Sequence, residues 1–498
     1  MLHRRSLLPP TSLADIAISA LAGQGQYGAV TQIAHEHDLS RQAVYRIREE
    51  GQQALIDNFT VKPPSTWQPD VPEATVKRSI VALYTISPSA IDDIVDLLPV
   101  VFGGLTRCHG YVFNVLHHAK HKAADFLDSI DLAPIVAVAI DEMFWHRTPL
   151  LTGIDLDTGF WFSAETVRTR SGPEWVSQLQ TLHQNGLDPS VIIKDAGLAM
   201  AEAATEVFPK AQQRDDLFHA VALLNEMGRT LENAAYRAIK NLDEIDTKRR
   251  RASTGSTARR QLGQKIRYQR PKMDAAIERF DAFTELAEEV TRLLQLCDPG
   301  SHQLRQAEEI RSHLPVLAAQ IKKIGGKHAR KVARYLSNRV EGLCSYLESL
   351  SAALKSCRQL IGDDRLVGAM LRAYQANLLA GRGERWQREE RQVELTASVA
   401  ELVEVSGRPE RLVRVIEVVV PVLTRRHRAS SAIENLHSVL RPYITVHKRV
   451  SQGFLDLFRF YWNTRIRRWG RHKGTSALEL MTGSKHDDWL TVLGFPPA

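Results

Sequence analysis

The stretch Pro134–Arg147 reads PIVAVAIDEMFWHR, and its character changes abruptly at Asp141. The residues before this acid are apolar and mostly small or β-branched, as in a strand that is buried on both faces of a sheet. A second acid, Glu142, follows at once. An ionised carboxylate at the end of a buried strand is unfavourable unless a cation compensates its charge. The stretch therefore predicts a central strand that ends at a metal-binding acid.

The pattern of strands and helices continues downstream of this stretch. Two alternating runs around the turn LDTG (156–159) predict a β-hairpin. A helix, the buried strand SVIIKD (190–195), a helix, a short strand and another helix follow. The order β-β-β-α-β-α-β-α, with the first three strands antiparallel, is the ribonuclease-H-like arrangement. The strands that end at Asp141 and Asp195 are neighbours in such a sheet, so both carboxylates are expected at one rim.

Length and composition limit the class of protein. The chain has 498 residues, of which 44% are hydrophobic and 24% charged, as in a globular protein with three or four folding units. Apolar runs are too short for a membrane span, and the N-terminus has no signal-peptide pattern, so we expect a cytoplasmic protein. The four cysteines form no C-x-x-C pair, which leaves a zinc site or a disulfide framework unsupported.

The positive charge is concentrated near the C-terminus. The whole chain carries a net charge of +8, whereas residues 421–474 contain twelve Lys or Arg and only two acids. Such a local excess indicates a polyanionic partner for this segment.

An N-terminal segment is predicted to bind DNA. YGAVTQIAHEHDLSRQAVYRIREEG (27–51) has a helix-turn-helix pattern, with Ser40 as the N-cap of its second helix. A small helical hairpin without this function is the alternative. A second set of helices follows a proline-rich linker and is either a further recognition unit or a plain three-helix unit. Side chains suited to phosphates and base edges are Arg41, Gln42, Tyr45 and Arg46 in the first unit, and Arg107 and Asn114 in the second.

A third acid is expected from a helix that crosses the rim. Glu434 lies in RRHRASSAIENLHSVLRPY (425–443) and is favoured over Glu341, which sits inside an uninterrupted helical pattern. Two Mg²⁺ ions about 3.5–4 Å apart can activate a nucleophile and stabilise a leaving oxyanion in phosphodiester chemistry. Magnesium prefers oxygen ligands. We therefore predict that Asp141, Asp195 and Glu434 are catalytic and hold two Mg²⁺ ions, for which Mn²⁺ can substitute.

Each acid also has a structural interpretation. Asp141 could start a turn, with Glu142 as the ligand instead. Asp195 could cap the helix that follows it, and Glu434 has the spacing of a capping box with Ser431.

Three segments resemble bacterial DDE transposases of the retroviral-integrase superfamily: VAIDEM (138–143), IIKDAG (192–197), and a C-terminal pattern over 430–481. The last is the most specific. It has Glu-Asn on a helix, an Arg seven residues on, the aromatic run FRFYWN, and the basic tail KGTSALELM. The resemblance covers about 131–225 and 425–482. It implies a ribonuclease-H-like fold, divalent metal, and cutting and joining of transposon ends by a multimer.

DLFH (216–219) resembles the D/C-x-x-H signature of Mutator-like and hAT-like relatives, which also carry a helical insertion. By this resemblance Asp216 and His219 position the substrate. The alternative is a helix-capping Asp and a buried, hydrogen-bonded His. The C-terminal cations predicted to contact DNA phosphates are Arg425, Arg426, Arg428, Arg441, Arg467 and Arg468. The aromatic residues that lie among these cations in the sequence are expected to belong mainly to the hydrophobic core.

The predicted architecture is an α/β ribonuclease-H-like catalytic core with a large all-α insertion, preceded by all-α helix-turn-helix DNA-binding domains. Its segments are a helix-turn-helix domain (1–57), a linker (58–74), a second helical DNA-binding domain (75–130), the first part of the core (131–226), the insertion (227–424), and the second part of the core with the basic segment (425–498). Within the insertion, TKRRRASTGSTARR (247–260) is expected to be a mobile loop.

The expected function is that of a nucleoid-associated DDE transposase. It would bind double-stranded DNA at transposon ends and target, and cleave and transfer strands as a homodimer or higher multimer. A domesticated, non-catalytic DNA-binding protein is the alternative, and a nuclease without strand transfer is a third possibility.

Overall fold

The computed structural model describes residues 8–59, 70–195, 197–298, 303–381, 383–426, 431–446 and 450–498. The chain divides into two compact units: Met1–Asp70 with Leu98–Thr106, and Val71–Leu97 with Arg107–Ala498. Within the described ranges, every helix is too short or too polar to cross a lipid bilayer. The predicted DNA contact Arg428 lies outside the described residues.

The N-terminal unit contains three helices, α1 (Pro10–Ala22), α2 (Ala29–Glu36) and α3 (Arg41–Phe59). Their apolar faces meet in a small core that includes Ile16, Ile33 and Val44. Ser40 caps α3 as predicted, because its Oγ accepts the backbone N–H of Ala43 at 3.1 Å. Gly51 allows α3 to approach α1 closely, since a Cβ at this position would lie 2.6 Å from that of Ala17.

The larger unit contains one mixed sheet. The helices that precede it are α4 (Glu73–Ile86), α5 (Ile91–Val101, shared with the first unit) and α6 (His109–Asp128). The sheet elements are β1 (Ala137–Trp145), β2 (Thr148–Asp155), β3 (Trp161–Thr166), α7 (Gly172–Gln184), β4 (Val191–Lys194), α8 (Leu198–Val207) and β5 (Gln212–Asp215). The strand order is β3-β2-β1-β4-β5, with β1, β2 and β3 antiparallel and β1, β4 and β5 parallel. This is the element order and strand direction expected from the sequence.

The position of Asp141 differs from the prediction. Strand β1 does not end at this acid but continues to Trp145, because its antiparallel pairing with β2 persists as far as Thr148. The parallel pairing with β4 ends earlier, at Ile140 and Lys194. Asp141 is therefore a mid-strand residue at the level where β4 stops. Asp195 follows Lys194 directly, so both acids lie at the same level of the sheet.

A helical region with its own core follows β5. Its helices are α9 (Leu217–Arg251), α10 (Thr257–Leu293), α11 (Ala307–Ile324), α12 (Lys327–Asn338), α13 (Val340–Cys344), α14 (Tyr346–Ile361), α15 (Asp364–Ala380), α16 (Arg385–Ser406) and α17 (Pro409–Thr424). The predicted loop over 247–260 is wrong, because only residues 252–256 separate α9 from α10. Four basic residues in the last turn of α9 suit the negative end of its dipole, and Ser256 caps α10 through the N–H of Arg259 at 3.2 Å.

The C-terminal helices are α18 (Ser431–Val446), α19 (Gln452–Thr464), α20 (Ala477–Thr482) and α21 (Trp489–Val492). Helix α19 is almost wholly buried, which confirms the expected core role of Phe454, Phe458 and Trp462. Its polar side chains cover the outer edge of β3. The amide of Asn463 pairs with both the N–H and the C=O of Trp161, at 2.7 and 2.9 Å. These bonds protect an edge strand from pairing with another chain.

The helices predicted as a second DNA-binding domain pack against α19. Tyr84 of α4 lies edge-on to Phe454, with ring centroids 5.8 Å apart, and Phe126 of α6 meets Phe460 at 5.0 Å. On α6, the ammonium of Lys120 donates to the hydroxyl of Tyr84 at 3.1 Å. Part of this helical set thus contributes to the core that supports the sheet.

The opposite edge of the sheet is covered by the helical region. Gln212 of β5 donates to the carbonyl of Ser345 at 3.1 Å, and Arg214 donates to Ser349 Oγ at 3.0 Å. Tyr335 of α12 donates its hydroxyl proton to the carbonyl of Asp216 at 3.2 Å. The helical region is therefore anchored directly beside the carboxyl ends of the parallel strands.

Candidate active site

A cleft of about 430 Å³ opens where β1, the end of β4, the start of α9 and one face of α18 meet. Six of the residues predicted from the sequence line it: Asp141, Asp195, Asp216, His219, Glu434 and Arg441. They are joined there by Glu142, Met143, Phe144, His437, Ile444 and Thr445. The fold thus brings together acids that are distant in the sequence.

The backbone around each acid explains its position. Glu434 lies in the first turn of α18, which crosses the sheet above β1 and β2. Asp195 accepts the N–H of Gly197 at 2.7 Å, and α8 begins only at Leu198, so the proposed helix-capping role of Asp195 is not what the structure shows.

Asp216 is the N-cap of α9, and His219 lies in the first turn of that helix. Asp216 is buried and caps the helix through the N–H of Phe218 at 2.8 Å, while also lining the cleft. The His219 ring lies 5.2 Å from the ring of Tyr335. Asp216 is therefore both the cap of a helix and a residue of the cleft lining.

Several carboxyl groups lie close together in the cleft, where they are partly shielded from water. Burial, followed by the charges of Asp195, Glu434 and Asp216, raises the pKa of Asp141 to about 8, against the lowering effect of a hydrogen bond from the Glu142 N–H at 2.8 Å. Such an arrangement stabilises a cation or a bound proton. The donor set therefore fits a divalent ion held by carboxylates.

His437 belongs to this cluster and was missed from the sequence. One ligand atom each from Asp141, Glu434 and His437 lie within 4.8 Å of one another. Burial, and to a lesser extent the charge of Arg441, lower the pKa of His437 to about 4, so its ring is neutral near neutral pH. The available signal was its position three residues after Glu434, on the same face of a helix.

Two other acids considered from the sequence have structural partners. Glu142 lines the cleft, yet its carboxylate accepts the indole N–H of Trp175 at 3.0 Å and pairs with Arg170 at 3.4 Å. Glu341 is not among the residues that line the cleft. It forms a two-pronged contact with Arg311, at 2.8 and 3.0 Å, on the surface of the helical region.

A second groove, of about 1030 Å³, lies on another face of α18. It is lined by Tyr461, Trp462, Trp469 and Trp489 and by Arg465, Arg467, Arg468, Arg471 and His472, with Asn435 and Val439 from α18. The Arg465 guanidinium stacks over the Trp462 ring at 4.4 Å, and Trp469 is 82% exposed. Helix α18 thus separates an acidic cleft from a basic, aromatic groove.

The remaining predicted DNA contacts differ in whether their side chains are exposed or make contacts within the protein. The four predicted contacts on α3, Arg41, Gln42, Tyr45 and Arg46, are all exposed. Exposed positions in the larger unit are Asn114, Arg425 and Arg468. The others make internal contacts: Arg107 with Glu73 at 3.2 Å, Arg426 with the Tyr374 hydroxyl at 2.5 Å, and Arg467 with the carbonyl of Gly159 at 3.3 Å.

No protein-family model matches the chain, and no curated protein matches its sequence. Among solved structures, the chain is similar to the Drosophila P element transposase strand transfer complex. The match has a TM-score of 0.31 and 12% identity, and covers 73% of this chain and 99% of that one.

Proposed function

We propose that this protein is a DNA transposase with a ribonuclease-H-like core, which cleaves and joins DNA strands at a divalent-metal site formed by Asp141, Asp195 and Glu434. The sheet order and the mixed strand directions support the assignment of the core.

The observation that carries the proposal is the convergence of these acids. Asp141 comes from the centre of β1, Asp195 follows β4, and Glu434 arrives on a helix beyond a long helical region, yet all three line one cleft. The raised pKa of Asp141 supports a cation-binding role, because mutual repulsion of the carboxylates disfavours their ionised forms without one.

When bound, divalent ions would supply an activated nucleophile and neutralise charge on the leaving oxygen. The protein's own part is to hold the carboxylates and to place the DNA. Arg441 is 62% exposed at the rim, 3.9 Å from Glu434, where a phosphate could contact it. Asp216 and His219, which also line the cleft, would orient the substrate.

Two further surfaces support DNA as the partner. The exposed face of α3 carries Arg41 and Arg46 beside Gln42 and Tyr45, the side chains expected of a recognition helix. The basic, aromatic groove beside α18 offers cations for the backbone and rings for unpaired bases. A homodimer or higher multimer on transposon ends is part of the proposal, as joining two ends requires their synapsis.

The test is metal-dependent nicking of a duplex that contains the DNA flanking the gene. We expect strand breaks with Mg²⁺ or Mn²⁺, none with EDTA, and none with Asp195→Asn, although that variant still binds the duplex. Tight binding without nicking in either metal would instead identify a non-catalytic DNA-binding protein. Nicking without joining to a second duplex would identify a nuclease.

A further inference from the structure

The two ring nitrogens of His437 face different groups. Its side chain is only 3% exposed. Nε2 lies 2.9 Å from Thr152 Oγ, and Nδ1 faces Asp141 Oδ2 at 3.6 Å, which is longer than a hydrogen bond.

Thr152 determines which nitrogen carries the proton. Its hydroxyl lies 3.0 Å from the backbone carbonyl of Asp141, its cross-strand neighbour, and a carbonyl can only accept. The single hydroxyl proton is therefore donated there, and the oxygen must accept from His437 Nε2–H. The neutral ring then has its lone pair on Nδ1, directed at the carboxylate.

Two acceptors thus face each other across a gap inside the cluster. A buried lone pair opposite a carboxylate oxygen is unfavourable unless a proton or a metal ion lies between them. A metal-bound histidine usually donates its other N–H to a fixed acceptor, and Thr152 supplies that acceptor here.

We propose that His437 is a ligand of the divalent ion through Nδ1, together with Asp141 and Glu434, and that Thr152 is a positioning residue that holds the ring in this tautomer. The inference rests on the proposed function only for the presence of an ion in the cleft. It changes the expected chemistry of the site: imidazole favours Mn²⁺ or Co²⁺ over Mg²⁺, unlike a set of carboxylates alone.

The direct test is pulsed electron paramagnetic resonance of the full-length protein with substoichiometric Mn²⁺. We expect modulation from a directly bound imidazole nitrogen in the wild type, its loss in His437→Gln, and its persistence in His219→Gln, which removes the other histidine among the described residues that line the cleft. Bound Mn²⁺ without nitrogen modulation in the wild type overturns the proposal, as does loss of the signal in His219→Gln alone.

The positioning role of Thr152 is tested by measuring the metal affinity of two variants at this position. Thr152→Val should weaken Mn²⁺ binding about 10–100-fold, with a smaller effect on Mg²⁺, and Thr152→Ser should restore it. Equal weakening of both ions, or no rescue by Ser in a folded protein, contradicts the positioning role. These readouts need no DNA, so nitrogen modulation without DNA cleavage refutes the proposed function alone, and cleavage without modulation refutes this inference alone.

Discussion

Replacing Asp141 by Asn should stabilise the ion-free protein and remove its stabilisation by divalent ions. The folded state raises the pKa of this carboxyl from 3.8 to about 8. Between these values the folded protein holds a proton that the unfolded chain releases, so stability falls as pH rises through this window. Each pH unit across this window corresponds to about 1.4 kcal/mol in the free energy of unfolding, so removing the carboxyl can stabilise the ion-free protein by at most about 5 kcal/mol near neutral pH. Because the surrounding structure relaxes around a buried charge, we expect the actual gain in the free energy of unfolding to be on the order of 2 kcal/mol.

The geometry allows the substitution. Asn has the same shape, its oxygen can still accept the Glu142 N–H, and its amide can donate towards His437 Nδ1. We expect the ion-free variant to melt several degrees above the wild type at about pH 7.5, because about 1 kcal/mol corresponds to a few degrees.

Thermal unfolding with and without MnCl₂, at about pH 6 and about pH 8.5, measures both effects. In the wild type the ion-induced rise should be larger at the higher pH, since the ion must displace a proton from Asp141 at the lower one. Glu341→Gln is the matched control and should keep the wild-type response. A lower melting temperature of ion-free Asp141→Asn, or an undiminished Mn²⁺ response, would refute the reasoning.

Three other substitutions test the fold and the DNA surfaces. Asn463→Ala leaves the N–H and C=O of Trp161 unpaired in the core and should lower the free energy of unfolding by about 2–4 kcal/mol in urea melts, whereas the exposed Asn114→Ala should change it by less than about 0.5 kcal/mol. Arg46→Ala should reduce the salt-dependence slope of duplex binding by about 1 in anisotropy titrations, and an unchanged slope would place it outside the interface. Trp469→Ala should weaken single-strand binding by about 1–3 kcal/mol with little effect on duplex, and equal losses would contradict stacking.

The sheet was predictable because its signals are local. Apolar runs, alternation and turn residues gave the order of strands and helices, and that order placed Asp141 and Asp195 on neighbouring strands. The extent of β1 was not predictable, since it depends on pairing with β2 that persists beyond the end of β4.

The site was predictable in part. Its acids follow recognisable patterns, but His437 gains its role from Thr152, a residue 285 positions away in the sequence. Asn463 is similar: as a helix-terminal polar residue it carries no local sign of its pairing with Trp161, 302 positions away. Contacts at such separations are set by the tertiary fold, and one sequence does not reveal them.

The central claim is that Glu434 completes a catalytic metal site, and a matched pair of variants tests it most directly. Glu434→Gln and Glu341→Gln remove the same charge from two helices, but only Glu434 lines the cleft. In a Mn²⁺-dependent strand-transfer assay, with a labelled transposon-end duplex and a target plasmid, we predict joined products from the wild type and Glu341→Gln, and none from Glu434→Gln. Full joining by Glu434→Gln would contradict the account, and its loss in Glu341→Gln would assign the third acid to Glu341 instead.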